Sequence, residues 1–164
     1  MDKDVRSVPD EVLLGACRVE TFRASGPGGQ KRNKTSSAVR ITHGPTGLSA
    51  IANESRSQAT NRVVALRRLR LRMATELREP IEVAGFLLPP WFSMSISANN
   101  SVYPQVVGLV LDVLSACHWS TADARALLRA GSRELTGFLH TEPAVWSMVQ
   151  RERAARGMRA LTNT

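Results

Sequence analysis

The stretch FRASGPGGQKRNKTSSAVRITHGPTG, residues 22–47, joins a glycine-rich tip to the clearest alternation in the chain. Gly26-Pro27-Gly28-Gly29 is followed by a single Gln30, and then by Lys31, Arg32 and Lys34. Downstream, Val39 and Ile41 alternate with Ala38, Arg40 and Thr42, the period-two pattern of a half-buried strand. HGPTG at residues 43–47 is a Gly/Pro turn, and LSAIAN after it reads as a further strand, so the two form a hairpin. Upstream, CRVETFR at residues 17–23 reads as the first strand. The glycine loop therefore lies between that strand and the hairpin.

Outward from this block the chain becomes helical. Ser7, Pro9, Asp10 and Glu11 ahead of VLLG predict a short opening helix stopped by Gly15. Residues 57–78 predict one long helix, in which Ala59, Val63, Leu66, Leu69, Met73 and Leu77 recur at helical spacing as an apolar stripe. Arg62, Arg67, Arg68, Arg70, Arg72 and Arg78 fill much of its remaining surface. That excess of arginine favours phosphate contact over a plain solvated face. Residues 80–104 carry Pro89-Pro90, Asn99-Asn100 and Pro104, and read as an irregular tether anchored by Trp91 and Phe92. Val106, Leu109, Val110, Val113, Leu114 and Cys117 then mark a helix. Ser120 and Asp123 form a capping pair for the next helix, which is expected to end at Gly131. Ser132 opens a short helix with Leu135, Phe138 and Leu139, and Thr141 and Pro143 open a last one ending near Gly157. The expected architecture is α+β: a small antiparallel sheet with one long helix over residues 1–80, an irregular linker over 81–104, and an all-helical region over 105–164. The helix–Gly–helix spacing at its centre suits a helix-turn-helix and any other small helical hairpin alike.

Composition narrows the partner. The 164 residues carry a formal charge of +8. Residues 18–78 hold 13 Lys and Arg against Glu20, Glu54 and Glu76, so the excess is concentrated there. Such a block suits a polyanion, nucleic acid first among them, better than it suits solubility alone. Cys17 and Cys117 match no metal spacing and read as reduced thiols of a cytosolic protein. The polar, acidic start is neither a secretory nor a transit signal. Residues 83–111 hold no charge, but prolines and asparagines leave no apolar run long enough to span a bilayer, so a packed connector and no membrane contact are expected.

The glycine loop fits no nucleotide template. A dinucleotide fingerprint needs Gly where Lys31 stands, and no Gly-Lys-Ser/Thr exists for a phosphate loop. His43, His118 and His140 share no metal spacing and read as surface or helix residues. What remains is backbone chemistry. Gly28 and Gly29 let main chain approach a ligand closely. Gln30 offers a neutral amide and a backbone N–H, suited to holding a water or an oxyanion rather than to acting as a base.

RASGPGGQ, NKTSSAVRITH, PTG and SRSQATN, in that order across residues 19–77, resemble the Gly-Gly-Gln domain of class I peptide chain release factors. The resemblance implies a small α+β fold and hydrolysis of the peptidyl-tRNA ester in the ribosomal peptidyl transferase centre. It implies that Gly28 and Gly29 shape a catalytic tip, that Gln30 coordinates the attacking water, and that the Gln30 backbone N–H stabilises the tetrahedral intermediate. It implies RNA contact or loop bracing by Arg23, Asn33, Lys34, Arg56 and Gln58; Ser25 and the tip cations Lys31 and Arg32 are expected to add to that RNA-binding surface, and the helix arginines Arg62, Arg67 and Arg68 to extend it. No metal or cofactor is implied; the partners are large-subunit ribosomal RNA and peptidyl-tRNA, met by a cytoplasmic monomer. Lys31-Arg32-Asn33 replaces the His-Val-Asn common in the family, and nothing resembling codon-reading domains is present. The resulting expectation is a codon-independent peptidyl-tRNA hydrolase of ribosome rescue. A non-catalytic ribosome- or RNA-binding protein of the same fold is the alternative, and a DNA-binding regulator using the C-terminal hairpin is a third reading.

Overall fold

A computed structural model describes residues 6–23 and 37–162 of the chain. The chain divides into two compact units, Met1–Met73 and Ala74–Thr164.

In the first unit, α1 (Asp10–Gly15) begins directly after Pro9, with Asp10 and Glu11 in its first turn where negative charge complements the helix dipole. Three strands follow: β1 (Cys17–Phe22), β2 (Ala38–His43) and β3 (Ser49–Ala52). They form an antiparallel sheet in the order β1-β2-β3. The anticipated β2–β3 hairpin is present, and β1 pairs along the other side of β2, from Cys17 opposite His43 to Phe22 opposite Ala38. β2 is thus the central strand. Val39 and Ile41 are buried on one face while Arg40 is exposed on the other. The hairpin turns through Gly47 at φ 70°, a conformation glycine adopts without a Cβ penalty. His43 is buried rather than superficial, and its Nδ1 lies 2.8 Å from the Thr46 hydroxyl inside the same turn.

α2 (Gln58–Glu76) is the long helix, but its buried face is not the predicted stripe. Leu66, Leu69 and Met73 are buried as expected, whereas Ala59 is exposed and Val63 is 70% exposed. Their places are taken by Asn61, Ala65, Arg70 and Ala74. Counting carbon-rich residues missed this rotation, because Asn61 and Arg70 are drawn inward to satisfy backbone groups that would otherwise lack partners. Arg70 donates to Asp10 Oδ1 at 2.6 and 2.9 Å, to Val8 O at 2.6 Å and to Arg6 O at 3.1 Å. It pins the segment before α1 to α2 and is not part of the arginine surface expected of it.

In the second unit, residues 77–102 contain no helix or strand. Phe92 N donates to Pro89 O at 3.0 Å, which leaves Trp91 at the outside of a tight turn. Trp91 is accordingly 47% exposed, not an anchor; Phe92 is half-buried and Met94 is buried. Four helices follow: α3 (Tyr103–Ala116), α4 (Thr121–Leu128), α5 (Ser132–His140) and α6 (Pro143–Ala154). α3 is buried almost all round, which marks it as the central helix of this unit. Its one charge, Asp112, is 1% exposed and accepts from Arg78 at 3.0 Å and from Glu79 N at 3.1 Å. Ser120 caps α4 as expected, accepting from Asp123 N. The helix stops earlier than Gly131, however: Arg129 takes the left-handed position at φ 51°, and Gly131 serves as N-cap of α5, its N–H held by Glu134. α6 closes through Gly157 at φ 67°, with Met158 N donating to Arg153 O, the pairing of a Schellman motif. Arg153 also donates to Trp119 O at 2.6 Å, and so steadies the left-handed pair His118 and Trp119 that ends α3.

Burial lowers the pKa of His43 below its usual 6.5. The unfolded chain then takes up the imidazole proton first as pH falls, so His43 should favour folding fully above about pH 6.5 and lose that contribution on acidification below it. Urea midpoints measured between pH 7.5 and 5.5 should show this downward step, and His43→Gln should remove it. An unchanged profile in the variant would assign the acid sensitivity to other groups.

Candidate nucleic-acid interface

The pairing of Phe22 with Ala38 makes residues 23–37 the connection between two neighbouring antiparallel strands. Gly28, Gly29 and Gln30 lie within it in sequence, with Ser25, Lys31, Arg32, Asn33 and Lys34; all of these fall outside the described residues. Both ends are described. Arg23 is exposed at the start, and Ser37 is half-buried at the end.

Ser37 is held from across the fold. Asn61, 1% exposed on α2, donates through Nδ2 to Ser37 O at 2.6 Å and to Ser55 O at 2.8 Å. Its Oδ1 accepts from Ser55 N at 2.9 Å. One carboxamide therefore holds the end of the connection beside the turn that precedes α2. That turn is built by serines: Ser57 N donates to the Ser55 hydroxyl, and the Ser57 hydroxyl accepts from Thr60 N in the manner of an N-cap. The local sequence SRSQ folds this way because short hydroxyl side chains satisfy the first orphan amides of a helix. Arg56 and Gln58 emerge exposed from the turn, and Gln58 and Arg62 lie one helical turn apart on the same face. The structure thus brings the end of the glycine connection, Arg56 and Gln58 to one edge of the unit.

The helix arginines do not act alike. Arg62 is exposed, and so is Arg67. Arg68 is committed to the protein: it reaches Ile51 O at 2.7 Å and Glu54 at 2.8 Å, with its side chain 47% exposed. That hydrogen bond from Arg68 holds the Glu54 carboxyl below the usual carboxylate range. Arg72 donates to Ser49 O at 2.8 Å. Arg68 and Arg72 thereby cover outward carbonyls of β3, a strand edge otherwise open to pairing. On the sheet, Arg40 stacks over the Phe22 ring at 5.3 Å, and Arg18 pairs with Glu20 at 3.0 Å.

Among the described residues, burial raises the pKa of both cysteine thiols. Burial pushes the Cys17 thiol up, away from the reactive thiolate, with the Arg70 charge only partly opposing it. No group of three His, Cys, Asp or Glu there could hold a metal ion. No helix there is long and apolar enough to cross a membrane. The described surface offers cations and polar donors to an anionic polymer. Asn61 is the residue that periodicity overlooked; its place at the head of the series Asn61, Ala65, Leu69, Met73 is the signal that marks it as buried.

The family model described as the RF-1 domain matches residues 11–83. Peptide chain release factor 1 of Parafrankia sp. is 43% identical over 84 residues, which cover 51% of this chain and 22% of that protein. Peptide chain release factor 2 of Variovorax paradoxus is 52% identical over 67 residues, covering 41% and 18% respectively. Peptide chain release factor 1 of Thermotoga maritima is 50% identical over 72 residues, covering 44% and 20%. The chain spans about a fifth of the length of these relatives.

The two kinds of arginine are separable by experiment. Arg70→Ala removes a buried cation from one carboxylate and two carbonyls and should cost about 2–3 kcal/mol of stability, whereas Arg62→Ala should stay within about 0.5 kcal/mol. Arg62→Ala should instead lower RNA affinity and flatten its salt dependence by about one unit of log–log slope. Urea denaturation and RNA titration at several salt concentrations read both effects. Equal stability losses in the two variants would contradict the assignment.

Proposed function

We propose, from the premise that this chain carries a class I release-factor-like Gly-Gly-Gln domain, that it hydrolyses the ester of peptidyl-tRNA on the ribosome without reading a codon. The observation that carries the reading is the match over residues 11–83 with Gly28-Gly29-Gln30 inside the connection between two paired strands. In this reading a water, positioned by the Gln30 side chain, attacks the ester carbonyl. The oxyanion accepts the Gln30 backbone N–H, and collapse of the tetrahedral intermediate expels the ribose oxygen of the tRNA, leaving a free peptide carboxylate. Gly28 and Gly29 admit the close approach this needs. A neutral amide performs no proton transfer, so the proton shed by the attacking water and the proton taken up by the leaving ribose oxygen pass through groups of the ribosome and the tRNA.

The cationic surface delivers the domain. Arg23, Arg56, Gln58 and Arg62 stand exposed and suit ribosomal RNA, together with Ser25, Lys31, Arg32, Asn33 and Lys34. Arg67 extends this face along α2. Arg68 joins it only by giving up Glu54, which makes Glu54 a modest brake on RNA binding. Rescue of stalled ribosomes by a cytoplasmic monomer is the setting that fits the proposal.

Peptide release from stalled ribosomes and from isolated large subunits loaded with peptidyl-tRNA tests the proposal. The unaltered chain should release peptide. Gln30→Ala and Gly29→Ala should lower the release rate by about 100-fold, the loss typical of removing one oxyanion-type contact, with ribosome affinity nearly unchanged. No release by the unaltered chain would sink the proposal. Release indifferent to Gln30, or ribosome binding alone, would point to the non-catalytic RNA-binding alternative.

A further inference from the structure

We infer that the second unit holds a phosphate-binding cavity between α4 and α5, in which Arg125 and Arg133 take a single phosphate group of an RNA backbone. The inference rests on the ribosomal reading above only for the identity of the polymer.

The cavity has a volume of about 190 Å³, and Arg125 and Arg133 line it together with the hydroxyl residues Thr121 and Ser132. No acidic residue lines it; Asp123 and Glu134 lie on the same two helices but outside the lining. Glu134 is engaged elsewhere, accepting from Gly131 N at 3.2 Å. Arg125 is half-buried and Arg133 is exposed, and among the described residues neither makes an ion pair or a side-chain hydrogen bond. Two cations that line one cavity without a counter-charge repel each other, and an anion between them turns that repulsion into attraction. General basicity does not account for the pair. Residues 74–164 hold eight arginines and eight acidic residues, so this unit is neutral as a whole. Asp112 and Glu152 are spent on Arg78 and Arg156, which leaves the cavity arginines uncompensated.

The fold builds this arrangement. Arg125 stands in the last turn of α4 and Arg133 in the first turn of α5, and only residues 129–131 separate the two helices. Arg129, at φ 51°, makes the reversal in a conformation that costs a non-glycine residue energy. Thr136 donates to Ser132 O at 2.9 Å and so ties down the turn that carries Arg133. Ala160, Leu161 and Thr162 supply a further wall, and Gln150 holds both backbone groups of Leu161, at 2.8 and 2.9 Å. Size and chemistry then select the ligand. Pockets for whole drug-sized molecules measure about 300–1,000 Å³, so this smaller cavity takes a group rather than a molecule. Guanidinium forks and hydroxyl donors match phosphate oxygens. A polynucleotide presents such a group while the rest of the polymer stays outside.

The test compares the full chain with the double variant Arg125→Gln/Arg133→Gln. Arg129→Gln is the control, because Arg129 is an exposed cation of the same turn that does not line the cavity, and circular dichroism verifies that each variant is folded. Inorganic phosphate titrated into the unaltered chain should move the side-chain N–H signals of Arg125 and Arg133 in NMR spectra and leave that of Arg129 in place. Affinity for a mixed-sequence single-stranded RNA should fall about five-fold in the double variant, and its log–log salt slope should flatten by about 0.7, the share of one phosphate. Arg129→Gln should change neither. Unmoved Arg125 and Arg133 signals would overturn the inference. Equal losses in Arg129→Gln and the double variant would overturn it too, by making surface charge the cause. Phosphate binding with RNA affinity intact in the double variant would overturn RNA as the source and leave a site for a free anion. None of these readouts involves peptide release, so a chain that binds RNA in this way but releases no peptide would fail the proposed hydrolysis alone.

Discussion

The pairing of β1 with β2 is the constraint on which the functional geometry depends. Because Phe22 sits opposite Ala38, the residues between them must leave the sheet and return to it within one interstrand spacing. The sheet therefore fixes where the connection begins and where it ends. The central position of β2 reinforces this, since β3 pairs with the other side of it.

Around that base, long polar side chains reach backbone groups that no strand or helix satisfies. Asn61 holds the two segments that flank the site, Arg68 and Arg72 cover the carbonyls of β3, and Arg70 gathers the segment before α1. The second unit uses the same device. Arg153 holds Trp119 O and Arg159 O, and Gln150 exchanges two hydrogen bonds with the backbone of Leu161, so residues 159–161 lie against α6. Each such bond matters chiefly because the alternative is a buried carbonyl or amide with no partner.

This sorting changes what the basic composition means. A block of arginines on one helix invites a single explanation, and the structure divides it. Arg70 is architectural, Arg68 and Arg72 are shared between architecture and surface, and Arg62 belongs to the surface. Net charge steers a protein toward a polyanion whichever of these groups supplies it. Specific contact requires the cations that remain exposed, and of these Arg23 and Arg56 lie at or next to the segments that end the glycine connection.

Local pattern determined much of this. Alternation at Val39 and Ile41, the Gly/Pro turn, the Ser120 cap and the existence of helix α3 each depend on neighbours within a few residues, and each appears where expected. The Gly28-Gly29-Gln30 motif and its ordered companions were likewise readable from the chain, as was the small α+β fold with helices after it. Two features depended on residues distant in sequence and were decided by the tertiary structure. β1 joined the sheet by register with β2, and α2 rotated to bury Asn61 and Arg70 in place of Ala59 and Val63. In each case a backbone group elsewhere needed a partner, and periodicity along one segment holds no record of that need.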